Sequence, residues 1–208
     1  MFFSTTLKSA RTSLLCAPVF WLGLVLVLLI ALLSFRLNAP IGPMYWDSYI
    51  YFDAAQRIGM GQVPGVDFST PVGPLGYYLF TWGYSLFLQA QPLLLVQWSA
   101  LAVTAPLMAW LLTNLATHNR KIGFLILVPF LAFAIFPANT QSFYPYPGLD
   151  GFGIYNRHTS LLLYVLMCGL VFMQKGVKLA LFCAAVMLAL FFMKVTGFLA
   201  GGLFGFVA

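Results

Sequence analysis

The feature that most constrains this chain is a run of about 24 uncharged residues, from Thr12 to Phe35, which directly follows Lys8 and Arg11. A run of this length exceeds the core of a signal peptide, about 7–15 residues, and no small-x-small cleavage site follows it. It matches the roughly 20 apolar residues that cross a bilayer as a helix. The sequence therefore predicts a retained membrane-spanning helix with a cytoplasmic N-terminus.

Composition extends this prediction to the whole chain. The 208 residues are 62% hydrophobic and only 7% charged, whereas soluble domains carry about a quarter charged residues. The formal net charge of +6 comes from basic residues placed singly or in pairs at the ends of apolar runs. Such placement indicates membrane topology and not nucleic-acid binding. The predicted fold class is an all-α, polytopic transmembrane bundle with spans at about 12–35, 93–115, 122–136, 159–173, 179–192 and 195–208.

The stretch from Pro74 to Leu88 is ambiguous, because it either crosses the membrane or lies along its surface. As a helix it measures about 22 Å, short of a bilayer core of about 30 Å, and it is rich in Tyr and Trp. If it lies at the interface, six basic residues face the cytoplasm and four the outside; if it spans, these numbers are reversed. The positive-inside rule favours the interfacial placement. Two external loops then result, at about 36–92 and 137–158, and they contain all four acidic residues, Asp47, Asp53, Asp67 and Asp150.

The first external loop begins with a predicted helix over about 44–59. Asp53 and Arg57 lie four residues apart on it, as a surface ion pair would. Asp47 has no basic residue at helical spacing and is surrounded by aromatic residues. A carboxylate held among aromatics at a membrane interface is costly unless it has a function or a partner, so Asp47 is the candidate functional residue. For Asp67, which lies in a Gly- and Pro-rich stretch, turn formation and a site role remain open.

The second external loop and the last apolar run supply further candidates. Aromatic residues surround Asp150 in a pattern typical of sugar-binding pockets. The sequence Tyr155-Asn156-Arg157-His158 precedes a predicted span, where it either binds phosphate or marks a helix start. Lys194 interrupts an apolar run, where a cation either has a function or extends to the lipid headgroups. The three cysteines lie in apolar runs without a CxxC spacing, and they predict neither a disulfide framework nor a zinc site.

Residues 59–79, GMGQVPGVDFSTPVGPLGYYL, contain the pattern G-x-x-P-x-x-DF-x-x-P-x-GPL-x-YYL. This pattern follows a first span and an acidic residue on an interfacial helix, and YNRH precedes a later span. Over most of its length the chain thereby resembles the GT-C class of membrane glycosyltransferases. That class includes lipid A aminoarabinose transferases, protein O-mannosyltransferases and many bacterial polysaccharide-modifying enzymes.

The resemblance implies transfer of a sugar from a polyprenyl-phosphate carrier to an envelope glycan, lipid or protein. Asp47 matches the position of the acidic residue that acts as base or orients the acceptor. Ser48 stands where many members have a second acidic residue, which argues against a two-carboxylate centre, although a divalent metal is possible. The implied substrate-binding residues are Arg57, Asp67, Tyr77, Tyr78, Asp150, Tyr155, Asn156, Arg157, His158 and Lys194.

The resemblance also implies a setting for this chemistry. The partners are the polyprenyl-phosphate-linked sugar and membrane lipids, without nucleic acid, and the active face is the periplasmic or external face of a bacterial inner membrane. Members of the class are usually longer, so these residues are expected to form the N-terminal part of a longer enzyme. The alternative function is a non-catalytic membrane protein, either an accessory subunit that binds lipid-linked glycans or a carrier.

Overall fold

The computed structural model describes residues 17–42, 45–116, 120–136, 151 and 153–207. Within these ranges the protein is all-α and contains no β-strand, which confirms the predicted all-α class. The described helices are α1 (Pro18–Leu33), α2 (Trp46–Gly59), α3 (Leu75–Leu86), α4 (Pro92–Ser99), α5 (Leu101–Ala116), α6 (Arg120–Ile135), α7 (Ile154–Phe172), α8 (Val177–Met193) and α9 (Val195–Val207).

Most predicted segments coincide with one helix. Helices α6, α8 and α9 agree within two residues with the segments predicted at 122–136, 179–192 and 195–208. The first-loop helices α2 and α3 also agree within two residues with the stretches at 44–59 and 74–88. The predicted span at 12–35 corresponds to α1, and its first five residues lie outside the described part of the chain.

The segment predicted as one helix at 93–115 is instead divided into α4 and α5, which meet at Ala100 with a bend of 41°. Two side chains bond back to the helix near the break: Ser99 Oγ donates to the Val96 carbonyl at 2.8 Å, and Thr104 Oγ1 to the Ala100 carbonyl at 3.0 Å. Such bonds compete with the helical ladder and bend helices. By length and apolarity, no single helix in the described ranges qualifies as a bilayer span, and α4 and α5 do so only jointly.

The prediction also placed the end of the second external loop too late in the chain. Helix α7 begins at Ile154 and not near 159, so Asn156, Arg157 and His158 lie in its first turns. Helix α7 is the centre of the bundle and contacts α4, α5, α6, α8 and α9.

Helices α2 and α3 pack against each other through aromatic rings. The Tyr51 ring lies 5.0 Å from that of Tyr77 and 5.7 Å from that of Phe80, measured between centroids. All three side chains are buried. Both helices of this pair contact α4, the first half of the broken segment. Helix α3 also contacts α8. The predicted first external loop is therefore a packed layer that covers one end of the bundle.

Candidate functional site

Asp47 is joined to the start of helix α7. Its side chain lies on the inward face of α2 and is only 6% exposed. The carboxylate oxygen Oδ2 accepts a hydrogen bond from the Gly153 backbone N–H at 2.6 Å. Gly153 precedes the first residue of α7 and has a φ of 69°, a left-handed conformation that favours glycine. The carboxylate therefore lies at the positive end of a 19-residue helix, which stabilises an anion.

Three tyrosines surround this carboxylate. Burial raises the pKa of Tyr51, Tyr77 and Tyr155, and the charge of Asp47 raises each of these pKa values further. The three phenols are consequently neutral at physiological pH. Two of these tyrosines, Tyr77 and Tyr155, were predicted site residues, and both interact electrostatically with Asp47.

Lys194 contacts the same helix start. It lies at the junction of α8 and α9, where its backbone is extended, with φ −164° and ψ 120°. Its ammonium group donates a hydrogen bond to Asn156 Oδ1 and lies 4.9 Å from the centre of the Tyr155 ring. A cation over an aromatic face is attracted by the ring quadrupole. The first residues of α7 therefore connect an acidic and a basic side chain from two distant parts of the sequence.

Arg157 and His158 are buried within the bundle, at 8% and 1% exposure. The pKa of His158 is lowered from 6.5 to about 4, chiefly by burial and also by the Arg157 charge, against an opposing effect of the Gln97 and Val96 backbone. The His158 ring packs edge-to-face on Tyr51 at 6.4 Å. A neutral, enclosed imidazole offers no charge to a phosphate. Of the two roles the sequence left open, His158 fits the start of a helix better than a phosphate site.

Several predicted site residues lie apart from this arrangement. Arg57 Nε donates to Asp53 Oδ2 at 2.8 Å, and both side chains reach solvent, which confirms the predicted surface pair. Asp67 is exposed and accepts a hydrogen bond from the Val63 N–H at 2.7 Å, as a turn-forming residue does. Tyr78 is 41% exposed. Asp150 lies outside the described residues, together with most of the aromatic residues predicted around it.

Two residues that the sequence did not single out take part in the arrangement. Tyr51 lies one helical turn after Asp47 on the same buried stripe, so the helical period could have indicated it. Gly153 carried no such signal, because its contact with Asp47 joins positions 106 residues apart.

A divalent metal has no evident ligand set here. Across the part of the chain that the structure describes, no three His, Cys, Asp or Glu side chains are grouped to hold a metal ion. The hydroxyl of Ser48, at the position of the second acidic residue in the GT-C pattern, donates to the Tyr45 carbonyl.

In the described residues the protein is all-α, and one carboxylate and one lysine are hydrogen-bonded to the first residues of the same helix, at Gly153 and Asn156. Comparisons with protein-family models, with curated proteins and with solved structures found no match for this chain.

Proposed function

We propose that this protein is a GT-C-like glycosyltransferase that moves a sugar from a polyprenyl-phosphate carrier to an acceptor on the non-cytoplasmic face of a membrane. The observation that carries the proposal is the attachment of Asp47 and Lys194 to the same helix start, through Gly153 and Asn156. A general base and a cation for a leaving phosphate must lie within the length of one substrate group.

The chemistry assigns one role to each charged residue. Asp47 takes the proton from the acceptor hydroxyl while the oxygen of that hydroxyl forms a bond to the anomeric carbon of the sugar. The bond between that carbon and the phosphate oxygen breaks, and the lipid phosphate leaves with its electron pair. Lys194 stabilises the charge that develops on this phosphate. The acceptor is an envelope glycan, lipid or protein.

The apolar exterior supports a membrane setting. Large apolar side chains point outward on several helices, such as Val27 at 63% exposure, Leu125 at 71% and Leu188 at 60%. Soluble proteins rarely expose contiguous apolar patches of large area. Lipid tails in contact with these faces are a simple explanation.

The charge distribution supports the sidedness. Lys175 and Lys178 flank the turn between α7 and α8, whereas Gly153 lies before the opposite end of α7. The 19 residues of α7 measure about 28 Å from end to end, so the basic turn and the candidate site lie far apart along this helix. The basic turn and the candidate site then lie on opposite membrane faces, with the basic turn in the cytoplasm.

One observation favours the non-catalytic alternative, a protein that binds lipid-linked glycans without transferring the sugar. The Asp47 carboxylate caps α7 through Gly153, a structural role that needs no reaction. Lys194 would then hold the phosphate of the bound lipid. The two functions differ in whether Asp47 is needed for turnover or only for folding.

The test uses the protein in nanodiscs with a panel of radiolabelled undecaprenyl-phosphate sugars and isolated envelope fractions as acceptors. We expect Asp47→Asn to abolish transfer while binding of undecaprenyl phosphate persists, and Lys194→Gln to weaken that binding. Asp53→Asn, in the exposed pair, is the matched control and should transfer normally. Full transfer by Asp47→Asn would reject the catalytic role, and Lys194-dependent binding without transfer from any donor would favour the alternative.

A further inference from the structure

The segment before α3 is attached directly to the junction of α8 and α9. The Gly73 N–H donates a hydrogen bond to the Met193 carbonyl at 3.1 Å. A Cβ atom built on Gly73 would lie 2.1 Å from the Phe192 carbonyl oxygen and 2.6 Å from its carbon. These are backbone atoms, so they cannot move aside as a flexible side chain can. The contact therefore requires glycine at position 73.

The Met193 carbonyl is available because the helix is interrupted there. In a continuous helix this carbonyl would accept from the Gly197 N–H, four residues later. Gly197 instead donates to the Lys194 carbonyl at 2.9 Å, and Lys194 itself donates to the Leu190 carbonyl at 2.8 Å. A buried carbonyl without a partner is costly. Gly73 supplies the missing donor and so stabilises the interruption.

The interruption sets the direction of the Lys194 side chain. Lys194 is the extended residue between the two helices, and its ammonium group reaches Asn156 and the Tyr155 ring on α7. If α8 continued through this position, the Lys194 backbone would be helical and its side chain would leave in another direction. The geometry of the Lys194 contact thus depends on a backbone that Gly73 holds.

Gly76, the second glycine of the sequence GPLG at residues 73–76, also lies close to neighbouring atoms. A Cβ on Gly76 would meet the Tyr51 hydroxyl at 3.1 Å and the Met193 sulfur at 3.3 Å. Tyr51 is the neighbour of Asp47 on α2. The two glycines of GPLG therefore contact both the lysine junction and the helix that carries the carboxylate.

We propose that Gly73 is a positioning residue, which holds the α8–α9 junction open so that Lys194 points to the start of α7. The inference assigns a role to the glycine of the GPL motif, and its consequence for phosphate binding rests on the proposed function. Its geometric part, the direction of Lys194, is independent of any ligand. The experiment can therefore separate the two.

The geometric test is NMR of the full chain in micelles, with lysines reductively ¹³C-dimethylated. The Tyr155 ring should shift the Lys194 methyl signal upfield of the Lys175 and Lys178 signals, and Lys194→Arg assigns it by deletion. Gly73→Ala should move this signal to the position of the other lysines. Gly59→Ala is the matched control, because no atom lies within 4 Å of a Cβ built there, and it should leave the signal in place.

The functional arm measures binding of undecaprenyl phosphate in nanodiscs. Gly73→Ala should weaken binding about tenfold, as Lys194→Gln does, since a hydrogen bond to a charged group is typically worth such a factor. The double variant should bind no more weakly than Lys194→Gln alone. An upfield Lys194 signal that persists in folded Gly73→Ala overturns the inference. If the Lys194 signal moves in Gly73→Ala but the wild type binds no undecaprenyl phosphate, the positioning role is supported and the proposed function is rejected.

A second variant covers a failure of Gly73→Ala to fold. Replacement of Gly73 by glycolic acid turns its amide into an ester, which removes the N–H and adds no bulk. The Lys194 signal should move in this variant too. An unchanged signal would overturn the inference.

Discussion

The Asp47 carboxylate accepts a hydrogen bond from the Gly153 N–H, 106 positions later in the chain, at 2.6 Å. This contact attaches the first helix of the predicted external loop to the start of the central helix α7. The Asp47 side chain has two properties that substitutions can separate, a negative charge and an oxygen that accepts a hydrogen bond. Substitutions that remove one or both of these properties have different expected outcomes.

Asp47→Asn should keep most of the wild-type stability, and Asp47→Ala should be clearly less stable. Asparagine keeps a carbonyl oxygen that can accept from Gly153, whereas alanine leaves this buried N–H without its acceptor. Loss of such a bond costs about 1–3 kcal/mol. Thermal unfolding in detergent measures the difference, with Asp53→Ala as the exposed control. Equal stability of Asp47→Ala and wild type would show that the Gly153 contact does not hold α7.

The pair Asp53–Arg57 should contribute little to stability. Both groups reach solvent at a separation of 2.8 Å, and exposed pairs of this kind contribute about 0–1 kcal/mol. A double-mutant cycle with Asp53→Asn and Arg57→Gln measures the coupling energy directly. A coupling well above 1 kcal/mol, or loss of transfer in Arg57→Gln, would assign Arg57 a role beyond this pair.

The protein should become less stable as the pH is lowered from about 6.5 to about 4. The pKa of His158 is lowered from 6.5 to about 4 in the folded protein, first by burial. Because the unfolded chain binds this proton more readily, the contribution is complete above pH 6.5 and is lost as the pH approaches 4. The difference amounts to about 3 kcal/mol, at about 1.4 kcal/mol per pKa unit.

Thermal unfolding between pH 4 and 8 measures this dependence. His158→Phe keeps an aromatic ring against Tyr51 and should flatten the curve in this interval. An identical slope in His158→Phe would mean that other groups cause the acid sensitivity.

Cysteines introduced at positions 69 and 119 should react from opposite sides of the membrane. Ser69 belongs to the predicted external loop, and Asn119 precedes the basic pair Arg120-Lys121, which the positive-inside rule assigns to the cytoplasm. A membrane-impermeant maleimide added to intact cells should label only position 69, in a background without the native cysteines. Equal labelling of both positions from outside would contradict the predicted topology.

Local patterns predicted helices well and their interruptions poorly. The apolar runs predicted α6, α8 and α9 within two residues, and the first-loop segment at 44–59 predicted α2 equally closely. The break at Ala100 was missed because the Ser99 and Thr104 bonds that accompany it do not alter the hydrophobic pattern. The early start of α7 was missed because YNRH is polar, although Arg157 and His158 become buried against other helices.

The sequence by itself determined the all-α class, the exposed Asp53–Arg57 pair and the short list from which the site residues come. These follow from composition and from spacings of a few residues, which are fixed along the chain. The tertiary structure decided which candidates meet. Asp47 reaches Gly153, Gly73 reaches Met193, and Lys194 reaches Asn156 across separations of 38 to 120 residues. Such contacts depend on how the helices pack, and no local spacing encodes them.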